Sequence, residues 1–594
     1  MLFIYLLVDW NIPSIKANSL QQPKTIHPDL LVVGAGISGL STALEAAQKG
    51  AQVTVVDLWS VFGGHGVVSG GVLSIVNTPS QILEGIKDSP ELAYQDFIKW
   101  GEDANPGWVQ LYVNQSKELI YDWVTPMGVT FSSLWRAPGN SVPRVHRTSG
   151  EGLALVSAIY KECLQQPNIK FIWNHKVTGL ITSSMRVTGV HALNIRNNKK
   201  VTLQASAIIL ATGGFQSNLQ MIRQFWPDHL QFPEKFLISA GLNALGSGHA
   251  LAQNVGGTIH KMDHQWNYST GTPDPRHPGN NRGFFAHSST AIWINLEGKR
   301  FTNESGSSKM TFPAVVNQKS SRFWTIFDKF GRKELEIRGT SSDDPEEMIS
   351  KLSPDLFKHA DSIEQLAIET NLDINQLKTT INRFNNFVEN GEDKDFKRFG
   401  KNTTAAQKIP LRPYTPQKIE SSPFYALLTF PITRKSMGGV SIDLSCRVLD
   451  QHKNPILGLY AVGELTGFGG INGKAGLEGT FLGPSIVTGR IAARTVLKDL
   501  NFQTPRSSSQ KNPGNLILKS SQKTKNNQTC LKCHSLPNLL TSNRPGYDHF
   551  KLVHQLVLKH QQQCSTCHLE FFPVRMDFHQ INPSIQLQNC TLCH

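Results

Sequence analysis

The chain has 594 residues, 39% of them hydrophobic, with 48 glycines, 31 prolines and a formal net charge of +14. That length exceeds one compact core and calls for two or three domains, while no run of 18 apolar residues is present to cross a bilayer as a helix. The positive charge is dispersed, with no basic run interleaved with aromatics, so nucleic acid is not an expected partner; acidic substrates or membrane surfaces, or solubility alone, remain as what the charge serves.

The N-terminal segment 1–27 begins MLFIYLLV and reaches Ala17-Asn18-Ser19, a small-residue pattern that a signal peptidase could cut, although no Lys or Arg precedes the apolar run. A first strand is the alternative. The next element is Asp29 to Val33, a continuous apolar strand that runs into Gly34-Ala35-Gly36-Ile37-Ser38-Gly39. A helical stretch follows, then a second strand ending at Asp57. This is a βαβ unit punctuated as a dinucleotide site requires: Gly34 for the tight turn, Gly36 for close backbone approach to a pyrophosphate, Gly39 for helix-on-sheet packing, and Asp57 to accept from a ribose hydroxyl. The helix N-terminus then faces the phosphates. At this point NAD and FAD are both open.

Further glycine-rich turns stand at Gly63-Gly64 through Ser69-Gly70-Gly71, at Ala211-Thr212-Gly213-Gly214 after the strand AIIL, and at Gly463-Glu464 after a third buried strand. Residues 28–240 and 421–500 therefore read as two parts of one nucleotide-binding domain. Residues 241–420 read as an inserted capping domain with an amphipathic helical stretch over 362–389. Residues 501–528 are rich in Ser, Lys, Asn and Gln and read as a linker.

The tail, residues 529–594, holds six of the eight cysteines in three copies of Cys-x-x-Cys-His: Cys530, Cys533 and His534; Cys564, Cys567 and His568; Cys590, Cys593 and His594. Paired thiols add to the two vinyl groups of a haem and the adjacent imidazole ligates its iron, so the repeat predicts three covalent c-type haems. Structural zinc needs no histidine after each pair, and thioredoxin-like chemistry needs one motif inside a βαβ fold. Four further histidines, His549, His554, His560 and His579, are candidate distal ligands, with Met576 weaker. A segment this short cannot build a large side-chain core, so the haems themselves are expected to be its core. Covalent haem is attached outside the cytoplasm, which favours export to the periplasm. The remaining cysteines, Cys163 and Cys446, read as buried small residues.

Across residues 28–500 the sequence resembles the fumarate reductase/succinate dehydrogenase flavoprotein superfamily, including soluble flavocytochromes c and 3-ketosteroid dehydrogenases. The resemblance is carried by the segments at 63–71 and 211–215, Asn295 to Glu304 (NLEGKRFTNE), Met437 to Val440, Gly458 to Glu464, and Glu478 to Gly483 before Gly489-Arg490. It implies an α/β fold, a Rossmann-like FAD-binding domain with an inserted α+β cap, to which the haem-packed tail is added. It also implies FAD held extended by Gly34, Gly36, Gly39, Asp57, Gly63, Gly64, Ser69, Gly70, Val177, Thr212, Gly213, Gly463, Glu464, Phe481 and Leu482. In the family the counterpart of Glu464 holds ribityl hydroxyls and a helix starting near Leu482 points its N-terminus at the flavin, favouring the anionic reduced ring.

The resemblance fails at the substrate residues. Where fumarate reductases carry a Thr-Glu pair and an Arg, this chain has Gly283, Phe284 and His287; Ser308 and Lys309 stand near their proton-donating Arg; Lys435, beside Arg434, replaces their His; and Gly476, with Lys474 close by, replaces their C-terminal Arg. The tyrosine of the ketosteroid dehydrogenases before the Gly-Gly segment is also absent. Lys309, Lys435, Lys474 and His287 are thus the candidate catalytic residues; the cluster Lys309, Arg434, Lys435 and Lys474 could hold an anion, and a desolvated Lys could donate a proton. His65 lies one residue short of the spacing at which membrane-bound relatives attach flavin covalently, and reads by default as an ordinary loop histidine. The leading expectation is a reductase that takes electrons from a membrane-bound or soluble donor through the haems and delivers hydride from flavin N5 to an unsaturated small molecule. The rivals are a dehydrogenase running the other way, into the haems, and a flavin–haem electron carrier without turnover.

Overall fold

Leu30–Val33 is fully apolar because it is covered on both faces, as parallel strands are. It pairs in parallel with Val53–Val56 on one side and Ala207–Leu210 on the other, and the latter pairs in parallel with Pro455–Ala461. Ile169–Ile172 closes one edge beside Val53–Val56; the hairpin His175–Ser183 with Arg186–Asn194 closes the other, giving a nine-stranded sheet. In this computed structural model the described residues are 27–339, 344–401, 416–503 and 551–556. Outside them lie almost all of the signal-like segment, the linker from residue 504, the six tail cysteines, and His534, His549, His560, His568, His579 and His594. Among the described residues no helix is long and apolar enough to cross a membrane.

Two helices pack together on this sheet, Ile37–Gln48 and Leu482–Asp499. Their approach is close enough that a Cβ on Gly489 would sit 2.4 Å from the carbonyl oxygen of Ser38. Glu45, buried on the first helix, accepts from Arg490 and Arg494 of the second at 2.7 Å each, so the two parts of the nucleotide-binding domain, far apart in sequence, are joined by ion pairs as well as by apolar packing. Cys163 and Cys446 are both buried and free, as expected.

The second sheet is built on one long strand, Phe424–Ser436. It runs in the order Ile292–Ile294, Phe323–Phe327, Phe424–Ser436, Gln265–Pro273, Gly283–Ser288, Leu335–Arg338, with Leu237–Ile238 and Phe357–Ala360 also on the long strand. This sheet extends past both ends of the expected insertion, 241–420: its central strand belongs to the stretch read as returning to the nucleotide-binding domain. The Pro-rich approach to residue 420 looked like a domain joint, but the strand beyond it carries the cap's own core, Phe424, Ala426 and Leu427. The helical stretch over 362–389 is likewise two helices, Ile363–Thr370 and Ile374–Asn390. Asn371 ends the first in the left-handed conformation that Asn tolerates, and the Asp373 side chain accepts from the N–H of Gln376 to cap the second.

A buried charge network locks the cap. Glu304, 3% exposed, accepts from Arg300 at 2.7 Å, from Arg398 at 3.2 Å and from the N–H of Trp293, while Asp393 accepts from Arg300 at 2.9 Å. Burial pushes the Glu304 carboxyl up, but the guanidiniums of Arg300 and Arg398 outweigh it and hold the carboxyl below its ordinary value. Breaking a buried pair strands the opposite charge, so Glu304→Ala is expected to cost about 3–5 kcal/mol, read as a lower denaturant midpoint.

Candidate functional site

Between the two sheets runs a continuous cavity of about 1600 Å³. This exceeds the roughly 300–1,000 Å³ of an ordinary small-molecule pocket and leaves room for a cofactor plus a substrate.

One end is the dinucleotide cradle. Gly34 turns at φ +114°, and a Cβ there would lie 2.4 Å from the carbonyl oxygen of Ala211; a Cβ on Gly39 would lie 1.9 Å from the carbonyl oxygen of Gly34. Both glycines therefore serve backbone packing. Gly36 is different: its backbone is extended, its helix start has no side-chain cap, and a Cβ would meet nothing within 4 Å, because the residue faces the cavity. Gly70 and Gly213 also face the cavity with open space at the Cβ position. Asp57 accepts from the N–H groups of Ala35 at 2.6 Å and Trp59 at 2.7 Å; burial still pushes its carboxyl up to about 6. The buried hydroxyl of Thr212 has no described partner and lines the same wall. An uncapped helix start, three open glycine edges, a carboxylate and an orphan hydroxyl together fit an extended dinucleotide.

Ser69, Val177, Glu464, Phe481 and Leu482 line the cavity. Gly63, Gly64 and Gly463 shape the wall instead: Gly63 bridges to Gly36, Gly64 abuts it, and Gly463 at φ +71° lies against Ser38. Glu464 accepts from the N–H and hydroxyl of Ser436 at 3.1 Å each, with burial raising its carboxyl. The helix Leu482–Asp499 begins at Phe481 without a side-chain cap, leaving its first N–H groups for whatever occupies the cavity.

The other end is cationic and aromatic. The long strand brings Arg434 and Lys435 side by side, and Lys435 pairs across the sheet with Trp266. Lys435 is half-buried against Phe481, its Nζ 3.8 Å from the ring centroid. Burial, reinforced by the charge of Arg434, lowers its ammonium to about 8. Arg434 lies over Tyr268 at 5.2 Å and donates through Nη1 to Ser239, but its buried Nε has no described partner. His65 is neutral: burial, then the charges of Arg434, Lys435 and Arg282, hold it well below its ordinary value, and its Nε2 is likewise unpartnered.

Of the four candidate catalytic residues, the structure brings two into the cavity. Lys435 and His287 line it, and burial pushes His287 down to about 4, so it is a neutral hydrogen-bonding group at ordinary pH. Lys309 is held by Glu102 at 2.6 Å and by the carbonyl of Trp100 at 2.8 Å, and does not line the cavity. Lys474 is exposed. Sequence reading passed over Trp266, Tyr268 and Phe285, because aromatic residues alternating in a strand look like core until the strands beside them are known. It also gave no sign that residues 551–556 form a helical turn with Val553 buried and Leu552 and Leu556 lining the same cavity; the candidate haem ligand His554 sits in this turn.

A mostly parallel sheet with a glycine-rich strand–helix turn, sharing a cavity with a second sheet, defines a dinucleotide-binding protein. The family profile described as FAD binding domain matches residues 29–482, and the chain belongs to that family; it is an FAD-dependent oxidoreductase. It is similar, at 29% identity, to a KsdD-like steroid dehydrogenase of Mycobacterium tuberculosis, over 80% of this chain and 96% of that one. It is also similar, at 29% identity, to "Fumarate reductase (cytochrome)" of Shewanella frigidimarina, over 79% of this chain and 77% of the relative. Among solved structures, the open conformation of a flavocytochrome c3 fumarate reductase superposes with a TM-score of 0.65 at 27% identity, covering 80% of this chain and 78% of the other.

Proposed function

We propose that this chain is an exported, periplasmic flavocytochrome that reduces the carbon–carbon double bond of an anionic small molecule, with three covalent haems on its tail passing electrons from an outside donor to FAD. The reading rests on one observation above all: Arg434 and Lys435, adjacent cations with no carboxylate salt bridge among the described residues, are aimed into the cavity beside the uncapped start of the helix Leu482–Asp499. Bound in this cavity, reduced FAD supplies two electrons and one proton as a hydride equivalent. Lys435 supplies the second proton, to the carbon beside the one reduced, so that two electrons and two protons saturate the bond. Arg434 holds the carboxylate in place through its free Nε–H. Glu464 and the glycine edges fix the ring end and the phosphates, and the aromatic wall excludes water. The cytochrome in the name of the Shewanella relative and the Cys-x-x-Cys-His repeats support the haems; the turn 551–556 on the cavity wall supports their closeness to the flavin.

Similarity to a steroid dehydrogenase keeps one rival, oxidation of a saturated substrate into the haems. The two separate in one experiment on protein matured in a host that attaches haem c. The proposed reading expects a dithionite-reduced viologen dye to be oxidised steadily on adding an enoate. It fails if only a saturated substrate, with no dye, reduces the haems, and an electron carrier would show neither. Haem staining of a denaturing gel is expected to be positive, and a negative gel overturns the tail assignment.

A further inference from the structure

We infer that the substrate is a monocarboxylate carrying a planar aromatic ring, an arylacrylate-type enoate, rather than a short dicarboxylate. This rests on the reductase reading above. The cavity's cationic end is Arg434 and Lys435, where the buried Nε of Arg434 has no described partner and the lysine lies over the Phe481 ring, with no carboxylate ion pair among the described residues although the charges of Glu478 and Glu464 reach it. From there the cavity follows one face of the second sheet. Trp266 lies across from Lys435; Tyr268 stacks edge-on to Phe285 at 5.3 Å; and His287, two residues on, lies across from Glu336. Adjacent strands lie about 4.8 Å apart, so the three spacings from the Lys435 strand to the Glu336 strand make the face roughly 14 Å wide. A four-carbon diacid would leave most of that aromatic face bare.

The far end also refuses a second carboxylate. His287 is uncharged at ordinary pH, Glu334 and Glu336 line the wall, and the cations that reach it, Arg338 and Arg398, are matched by Glu336 at 2.6 Å and Glu304 at 3.2 Å. Nearer the flavin, the position at which dicarboxylate reductases were expected to hold an arginine is Gly476. A Cβ there would lie 2.6 Å from the Phe481 ring and 3.2 Å from Trp266: aromatic rings fill the space a cationic side chain would need. What remains is an anion clamp, a slot between rings, and polar acceptors at its end. These are suited to an aromatic acid whose ring carries a hydroxyl or N–H donor.

The test is equilibrium binding to the oxidised, FAD-loaded full chain, by calorimetry and by the shift of the flavin absorption band. No electron acceptor is added, so none of the three ligands is turned over continuously: 3-(4-hydroxyphenyl)propanoate, succinate and 4-ethylphenol. The arylpropanoate is expected to bind at least tenfold more tightly than either of the others. Arg434→Gln is expected to weaken it at least tenfold while leaving 4-ethylphenol within twofold. Succinate binding as tightly, 4-ethylphenol binding as tightly, or no binding by any of the three overturns the inference. Selective binding without dye-driven reduction of 4-hydroxycinnamate would instead sink the reductase reading and leave the substrate class standing. Reduction of fumarate with no arylpropanoate binding would do the reverse.

Discussion

Replacing Lys435 with Gln is expected to slow dye-driven reduction by on the order of 10²–10⁴-fold, the range that a well-placed general acid contributes. KM should change little, because Arg434 still holds the carboxylate. The pH profile is the sharper readout. Burial and the charge of Arg434 lower the Lys435 ammonium to about 8, so the proton donor is present below that pH and lost above it. Wild-type kcat is therefore expected to be flat on the acid side and to fall about tenfold per pH unit above about 8. Lys435→Arg should push that limb out of range, and Lys435→Gln should abolish it. An alkaline limb that survives unchanged in the Gln variant would assign the proton to another group. The same shift has a stability consequence of opposite sense. Between about 8 and the ordinary 10.5, the unfolded lysine binds a proton that the folded one does not, so this residue's contribution to stability rises with pH across that window.

The nucleotide-binding half was readable because its residues answer to local rules. Leu30–Val33 is apolar throughout because a parallel strand is buried on both faces; Gly34, Gly36 and Gly39 follow at the spacing of a strand–turn–helix; Asp57 closes the next strand. The substrate end obeys no such rule. Lys435, Lys309 and Lys474 look alike as lysines in matching segments, and only tertiary structure separates them. Burial against Phe481 makes one a candidate acid, Glu102 ties down the second, and solvent takes the third. Arg434 counted in sequence as one of a cluster of cations that could hold an anion, with no more claim than Lys309 or Lys474. Its unpartnered Nε becomes visible once the long strand is placed at the centre of the cap sheet, and that strand lay beyond the expected boundary at residue 420. Gly476 read as a lost arginine; the structure turns the loss into a gain of ring packing between Phe481 and Trp266.

The glycine fingerprint contains two residues of one type with opposite duties, and alanine separates them. At Gly36 the backbone is extended, φ −75° and ψ 177°, which any residue adopts, and a Cβ meets nothing within 4 Å. Gly36→Ala is therefore expected to fold with an unchanged denaturant midpoint when both proteins are compared without flavin. Its methyl group would stand where a pyrophosphate must approach the first N–H groups of the helix. Charged hydrogen bonds of that kind contribute about 1.5–3 kcal/mol each, so losing one or two lowers FAD affinity by on the order of 10²-fold. The purified variant should be colourless in the flavin band and should regain little of it at micromolar FAD. At Gly39 the methyl group would lie 1.9 Å from the carbonyl oxygen of Gly34 and 3.2 Å from Val32, inside the helix–strand contact itself. Gly39→Ala should lower the apo-protein's midpoint by at least the 1–3 kcal/mol typical of overpacking, whatever the flavin concentration. If instead Gly36→Ala retains flavin at wild-type affinity, the cofactor does not run past this turn, and the open glycine edges at Gly70 and Gly213 would have to be explained by another ligand.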